Sequence, residues 1–525
     1  MRARFYTGRA SLSPKRTRGI SRSSRAYGVE ELEATMFRYE KFNASNIVSA
    51  PPVERVVEFS PSAPDAGDVA RVLSLAVDGK AVSAEANDGF CSVAGRVNFR
   101  LVYQTRDGAV KGVDYNADFS LKAEGGFLAD DNPSAEVSVV EADVDVADAV
   151  TLSAVVSVRA LAVRSTEEEC LVDAEKCYKT VEERVFPCPV AAKTTSFSVS
   201  EEADAGDIDE VLLVDAQAVV TSATASEGII AVEGRVRAAV TFTEDGDIRT
   251  RDMLIPFREE IPADGVAEGD EVSAVAWVRS SKVVLAGVPG ANIIRFEGDI
   301  AVRSNAVRMR TEEVIADMFM LTNEVELGRE HKRFTFFGGM KYSSEKVSGA
   351  APLEDRAPAE SVVAVPYARC YAAKAEAVEG GALVEGVLAA DVVYRDENGL
   401  NSVRAEVPYS VEIDGDFGEG VKAVCFVEDV RVKARRGELE LEASVGILLT
   451  RCVCADAEYI SSVTVGEEKE LNTSALSLYI VSEGDGMWDV CKALTATPED
   501  IMKQNPSLEL PLSAGDRVVY FRSLA

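Results

Sequence analysis

Glu233-Gly234-Arg235-Val236 leads through Phe242 to Asp245-Gly246 and on to Pro256-Phe257, and this succession occurs three times in the chain. An earlier copy runs Ala94-Gly95-Arg96-Val97, Tyr103, Asp107-Gly108, Phe119. A later one runs Glu385-Gly386-Val387, Tyr394, Asn398-Gly399, Pro408-Tyr409. In every copy the aromatic stands eight residues after the glycine. Asp-Gly or Asn-Gly between alternating apolar runs is a strong hairpin signal, because both central residues of a tight hairpin turn take positive φ. The flanks alternate too. Val211, Leu213, Asp215 and Gln217 fall on one face, and Leu212, Val214, Ala216 and Ala218 on the other. Leu152–Val158 is a further Val-rich run. Repeated short strands with regular turn signals predict antiparallel sandwiches or barrels.

The copies extend outward. Asp65-Ala66-Gly67-Asp68 recurs as Asp204-Ala205-Gly206-Asp207, at the same offset of 139 as Gly95 to Gly234. The third copy lies 152 residues after the second and is looser there, with Asp355-Arg356-Ala357-Pro358. These Asp and Gly residues read first as turn formers. Calcium binding by Asp65, Asp68, Asp204 and Asp207 is the alternative, but no loop with a bidentate acid follows.

The final fifty residues differ. Tyr479 and Val481 alternate with Ser482 as a half-buried strand, and Gly484-Asp485-Gly486 supplies a turn and a capping Asp before Met487, Trp488 and Val490. Thr497-Pro498-Glu499-Asp500 starts a second helix, with Thr as N-cap, Pro at the first position and acids in the first turn. Ile501 and Met502 face the core. Asn505-Pro506 ends the helix, and Gly515-Asp516 turns into a closing strand.

This segment resembles a LysM module, a small βααβ domain that binds N-acetylglucosamine polymers or protein partners. The resemblance implies a groove lined by Gly484, Asp485, Gly486 and Met487 on one side and Asn505, Pro506, Ser507 and Leu508 on the other. Position 486 carries Gly where the family usually has Thr, which removes a hydroxyl beside the glycan groove. Trp488 reads as module core. The repeats, in turn, resemble a domain of clostridial sporulation proteins. Three such repeats and one C-terminal LysM are the layout of the SipL-type spore coat morphogenetic family. That resemblance implies a mother-cell protein, cytoplasmic at the forespore surface, which engages the coat basement-layer ATPase of the stage IV sporulation protein A type.

The expected architecture is mainly β: three tandem antiparallel β-sandwich-like repeat domains followed by a small βααβ LysM domain. The expected division is a basic disordered arm or mis-assigned start over 1–51, repeats over 52–190, 191–330 and 331–474, and the module over 475–525. The first 28 residues hold eight basic side chains and no acid, and Met36 is a plausible true start.

Composition narrows the function. At 525 residues and a net charge of −32, the chain is acidic throughout its bulk, which disfavours nucleic acid and anionic membranes as partners. No run reaches the roughly 20 apolar residues of a membrane span. Nine scattered cysteines without a paired C-x-x-C set, and a single histidine, disfavour zinc and read as free thiols. His331, in Gly328–Arg333, reads as part of an exposed charged linker. There is no phosphate-binding loop of the Gly-x4-Gly-Lys type and no G-x-S-x-G elbow. A carboxylate pair for glycoside hydrolysis would want aromatic sugar platforms, and only Trp277 and Trp488 are present. The expectation is a non-enzymatic assembly protein that needs no cofactor, with peptidoglycan or cortex-glycan binding as the alternative.

Overall fold

The computed structural model describes residues 36–288, 291–353, 356–435, 437–469 and 476–522. The basic arm over 1–35 lies outside the described residues. The chain is mainly β, in antiparallel sheets.

One pairing scheme occurs three times. In its middle occurrence, β9 (Ile208–Ser226), β10 (Ile229–Glu244) and β11 (Asp247–Pro262) form a meander, order β11-β10-β9. A second sheet, order β12-β13-β8, joins β12 (Glu271–Val288), β13 (Ala291–Phe319) and β8 (Tyr178–Ala205). One apolar cluster links the two, with Val236, Phe242 and Phe257 from the meander and Ile300 and Val302 from the second sheet. The later occurrence pairs β15 (Ser361–Val378), β16 (Gly381–Asp396) and β17 (Gly399–Asp414), and beneath them β14 (Asn323–Pro352), β19 (Glu438–Glu468) and β18 (Gly420–Arg435). The earlier pairs β3 (Val69–Asn87), β4 (Phe90–Thr105) and β5 (Val110–Glu124) over a sheet of β6 (Pro133–Val146), β7 (Val150–Ala174), β1 (Phe37–Ser49) and β2 (Val53–Phe59). Here two strands, β1 and β2, stand where the others have one. The chain breaks between them at Pro51-Pro52, which cannot donate to a ladder.

The repeated motif has a packing cause. Gly95, Gly234 and Gly386 pair in register with Phe119, Phe257 and Tyr409. In each case a Cβ on the glycine would overlap the facing ring. The strand glycine is therefore the seat of a cross-strand aromatic, which restores the packing that a bare backbone lacks. Tyr103, Phe242 and Tyr394 are all buried in the three cores.

Turn chemistry departs from expectation in two hairpins. Asp245 and Gly246 both take positive φ, as predicted. At Asp107-Gly108 and Asn398-Gly399 only the glycine does. Gly108 closes a three-residue loop, with Thr105 donating to Ala109 across its mouth. Such loops need only one left-handed residue.

The organisation also departs from expectation at two places. Residues 37–49, assigned to the arm, form β1, which pairs with β7 across Leu161–Ala174. His331 lies inside β14, opposite Glu458, rather than in a linker, although it is exposed. Residues 190 and 330 fall within β8 and β14. These strands are long because their outer halves serve a second packing. Phe42, Phe186, Phe334 and Tyr459 come from β1, β8, β14 and β19 and share one buried cluster. Phe42 stacks on Phe186 at 5.1 Å.

The three meanders also meet one another, around a centre that is partly charged. Arg369 of β15 donates to Asp215 of β9 at 2.7 Å, and Gln217 donates to the Ala368 carbonyl at 3.0 Å. Asp391 of β16 accepts from Ser74 Oγ at 2.7 Å, Leu75 N at 3.1 Å and Arg404 Nε at 2.8 Å. Arg100 of β4 reaches the Val214 carbonyl of β9. Asp215 and Arg237 are each only 1% exposed. Buried charges are tolerated when they are paired and hydrogen-bonded; here Arg369 to Asp215 and Ser74 to Asp391 cross from one sheet pair to another, while Arg404 meets Asp391, and Arg237 meets Asp215 and Asp252, within a single meander.

Candidate functional site

The C-terminal segment folds as β20 (Leu476–Ile480), α1 (Met487–Leu494), α2 (Pro498–Gln504) and β21 (Arg517–Phe521), with β20 antiparallel to β21. Local chemistry explains each joint. Thr497 caps α2, its Oγ1 accepting from Asp500 N at 3.0 Å, with Pro498 in the first turn. At α1 the expected capping Asp is not the cap. Asp485 Oδ2 accepts instead from Ser482 N at 2.7 Å and Tyr479 OH at 2.8 Å, so it braces the preceding turn. Those bonds hold its carboxyl below the ordinary carboxylate range, Ser482 contributing most. Gly486 is the N-cap, and its N–H donates to Asp489 Oδ2 at 2.8 Å.

The eight predicted groove residues divide by role. Gly484 takes φ +94° in an exposed turn. Asn505 is buried, donating to the carbonyls of Ile501 (2.8 Å) and Val519 (2.7 Å) and accepting from Val519 N (2.9 Å). It ties α2 to β21, with both amide hydrogens committed to internal bonds. Met487, at the start of α1, and Leu508, in the loop after α2, both pack on the module's core. Pro506 and Ser507 are exposed. At Gly486 an added Cβ would meet nothing nearer than Asp489 Oδ2 at 3.7 Å, so glycine there is not a steric demand.

Trp488 corrects the expectation of a purely internal core residue. It is half-buried at the seam between the module and the end of β13. Its ring meets Phe319 edge-on, with centroids 5.0 Å apart, and Phe319 stacks on Tyr178 at 5.3 Å. Trp488 Nε1 donates to Asp317 Oδ2 at 2.7 Å, and Lys492 Nζ donates to the same oxygen at 2.8 Å. Asp317 Oδ1 accepts from Arg329 of β14 at 3.0 Å. One carboxylate thus joins β13, β14 and α1. Phe319, Tyr178 and Leu321 belong to the same apolar cluster as Val490, Ile501 and Val518. The seam was missed in the sequence because Asp317 and Phe319 lie some 170 residues before their partners.

The module's other side is open. Leu476, Leu478 and Ile480 are 51%, 56% and 58% exposed, and Phe521, paired with Leu476 across the ladder, is 57% exposed. Alternate residues of a strand share a face, so these four form one apolar surface.

Among the described residues no group of His, Cys, Asp and Glu is placed to hold a metal ion. All nine cysteines are unpaired thiols. Burial pushes Cys170 and Cys491 up to about 12, away from thiolate chemistry.

Residues 207–285 match the family described as SipL, SPOCS domain. The match covers β9, β10, β11 and most of β12. It supports a SipL-type, sporulation-related protein. No curated protein and no solved structure matches the chain. Among the described residues no helix is long and apolar enough to cross a membrane.

Proposed function

We propose that the chain is a non-catalytic spore coat assembly protein. Three SPOCS-like repeat domains make its body, and a C-terminal LysM module docks it to a coat scaffold protein. The SPOCS match over 207–285 carries the sporulation reading. The repetition of its pairing scheme on either side supports three repeats, each built on its own sheet pair. The order of strand, two helices and strand, with Thr497 and Asn505 in their structural places, supports the LysM reading.

Docking to protein, rather than to glycan, is favoured by the module's exposed surface. Leu476, Leu478, Ile480 and Phe521 make an apolar face of the kind that marks protein interaction sites. Half of the expected glycan groove is committed elsewhere, Asp485 and Asn505 to internal bonds and Met487 and Leu508 to the core. The partner implied by the family is the coat basement-layer ATPase of the stage IV sporulation protein A type. The site of action is then the mother-cell cytoplasm at the forespore surface. Co-purification of that ATPase from sporulating cells with the full chain, compared with a chain carrying Leu478→Asp and Ile480→Asp, tests the reading. Loss of capture is expected, and undiminished capture would move docking away from this face.

A further inference from the structure

The second sheets of the three sheet pairs line a partly open cavity of about 200 Å³ between them. One wall comes from β6 and β7, another from β8, β12 and β13, and the third from β14, β18 and β19. Nothing in the proposed docking role uses it.

The chemistry of its lining is uneven. Leu161 and Phe337 supply apolar wall. Lys422 is neutralised by Glu136, to which it is hydrogen-bonded. Arg303 is different. Among the described residues its guanidinium has no hydrogen-bond or ion-pair partner, only the Trp277 ring beneath it at 5.9 Å. Burial pushes it below its ordinary value, with Glu136 only partly opposing. By contrast, the half-buried Arg100 and Arg404 each face a carboxylate. Beside Arg303, Ser273 is 4% exposed and its Oγ makes no hydrogen bond. Arg303 pairs across the ladder with Val275, and Ser273 pairs with Asn305, so Arg303 and Ser273 share the face that lines the cavity. Lys193 adds a second cation to the lining.

We propose that this cavity binds a small organic oxyanion, a carboxylate or phosphate carried on an apolar body. Arg303 would take the anionic oxygens through its planar fork, Ser273 would donate one hydrogen bond, and Leu161 and Phe337 would cover the apolar part. An unpaired guanidinium and an unsatisfied buried hydroxyl on one wall are the costs that such a ligand removes. The volume is below that of drug-sized pockets, which begin near about 300 Å³, and suits a ligand of roughly a single ring. A ligand held between three walls would also resist their separation, because whatever binds only the closed form stabilises it.

The test is calorimetry on the full chain with benzoate, phenyl phosphate and inorganic phosphate, followed in parallel by tryptophan emission, since Trp277 lies against Arg303. The expected result is binding of benzoate or phenyl phosphate with a change in emission, and at least tenfold weaker binding of inorganic phosphate. Arg303→Gln should weaken binding at least tenfold, while Arg279→Gln, an exposed arginine of β12 outside the cavity, should leave it unchanged. If Arg303→Gln melts early, Arg303→Lys replaces it, with several-fold weakening expected from loss of the fork. No heat with any probe at about 10 mM, or equal affinity in the wild type and the Arg303 variant, would overturn the proposal. Equal affinity for inorganic and phenyl phosphate would overturn the apolar half of it.

Discussion

Replacing Asp317 by Ala should release the C-terminal module from the body while leaving both folded. The carboxylate accepts from Trp488 Nε1 at 2.7 Å and Lys492 Nζ at 2.8 Å. A hydrogen bond to a charged group is worth about 1.5–3 kcal/mol. The Lys492 pair is partly exposed, with side chains 39% and 20% accessible, so screening reduces it to about 0.5–1 kcal/mol. The sum, about 2–4 kcal/mol, corresponds to roughly 30- to 700-fold in the ratio of docked to released module. The edge-on contact of Trp488 with Phe319 remains in the variant and sets a floor of about 0.5–1.5 kcal/mol. Hydrogen exchange reads the change directly. Amides near the seam, in α1 and at the end of β13, should lose protection by roughly that factor, while amides in β4, β10 and β16 keep theirs. Unchanged exchange across the seam in a correctly folded variant would show that the carboxylate contributes nothing to docking.

Three further outcomes follow from other parts of the molecule. Gly234→Ala places a Cβ into the Phe257 ring and the Val219 carbonyl, and should cost about 1–3 kcal/mol by thermal or urea melting; a neutral result would remove the packing explanation of the motif. Asp131, bonded by Arg164 at 2.8 and 2.6 Å, is held below the ordinary carboxylate range chiefly by that arginine. Its stabilising effect is complete above the unfolded value near about 4 and is lost as pH falls through its lower folded value, so melting temperature should drop below about pH 4 and Asp131→Asn should flatten that drop. Calorimetry of the full chain with a chitin pentamer should show no micromolar binding, and a micromolar constant, about 8 kcal/mol, would favour the glycan reading.

Much of the β architecture could be read from the motif glycines, because each is fixed by one facing aromatic. A companion signal went unread. Gly89, Gly228 and Gly380 stand six residues before Gly95, Gly234 and Gly386, all at positive φ in the turn that opens the central strand. The long strands were harder. Their outer halves pack on neighbouring sheet pairs, so both faces carry buried residues and the simple alternation fails, as in Phe186 and Tyr459. The charged centre was illegible for a related reason. Asp215 and Gln217 lie on the face opposite Ala216 and Ala218, which reads as solvent-facing until other sheets cover it. In the module, local signals such as Thr497-Pro498 worked because capping is local. The roles of Asp485 and Trp488 did not emerge, since one depends on a turn's hydrogen bonds and the other on a distant carboxylate.

The most direct test of the docking account is the equilibrium affinity of the purified full chain for the purified coat basement-layer ATPase. It should be compared between the wild type and the Leu478→Asp, Ile480→Asp variant. Both side chains are more than half exposed, so the module should keep its fold. The account predicts at least a tenfold loss of affinity, about 1.4 kcal/mol or more. Equal affinity, with the melting temperature unchanged, would contradict it.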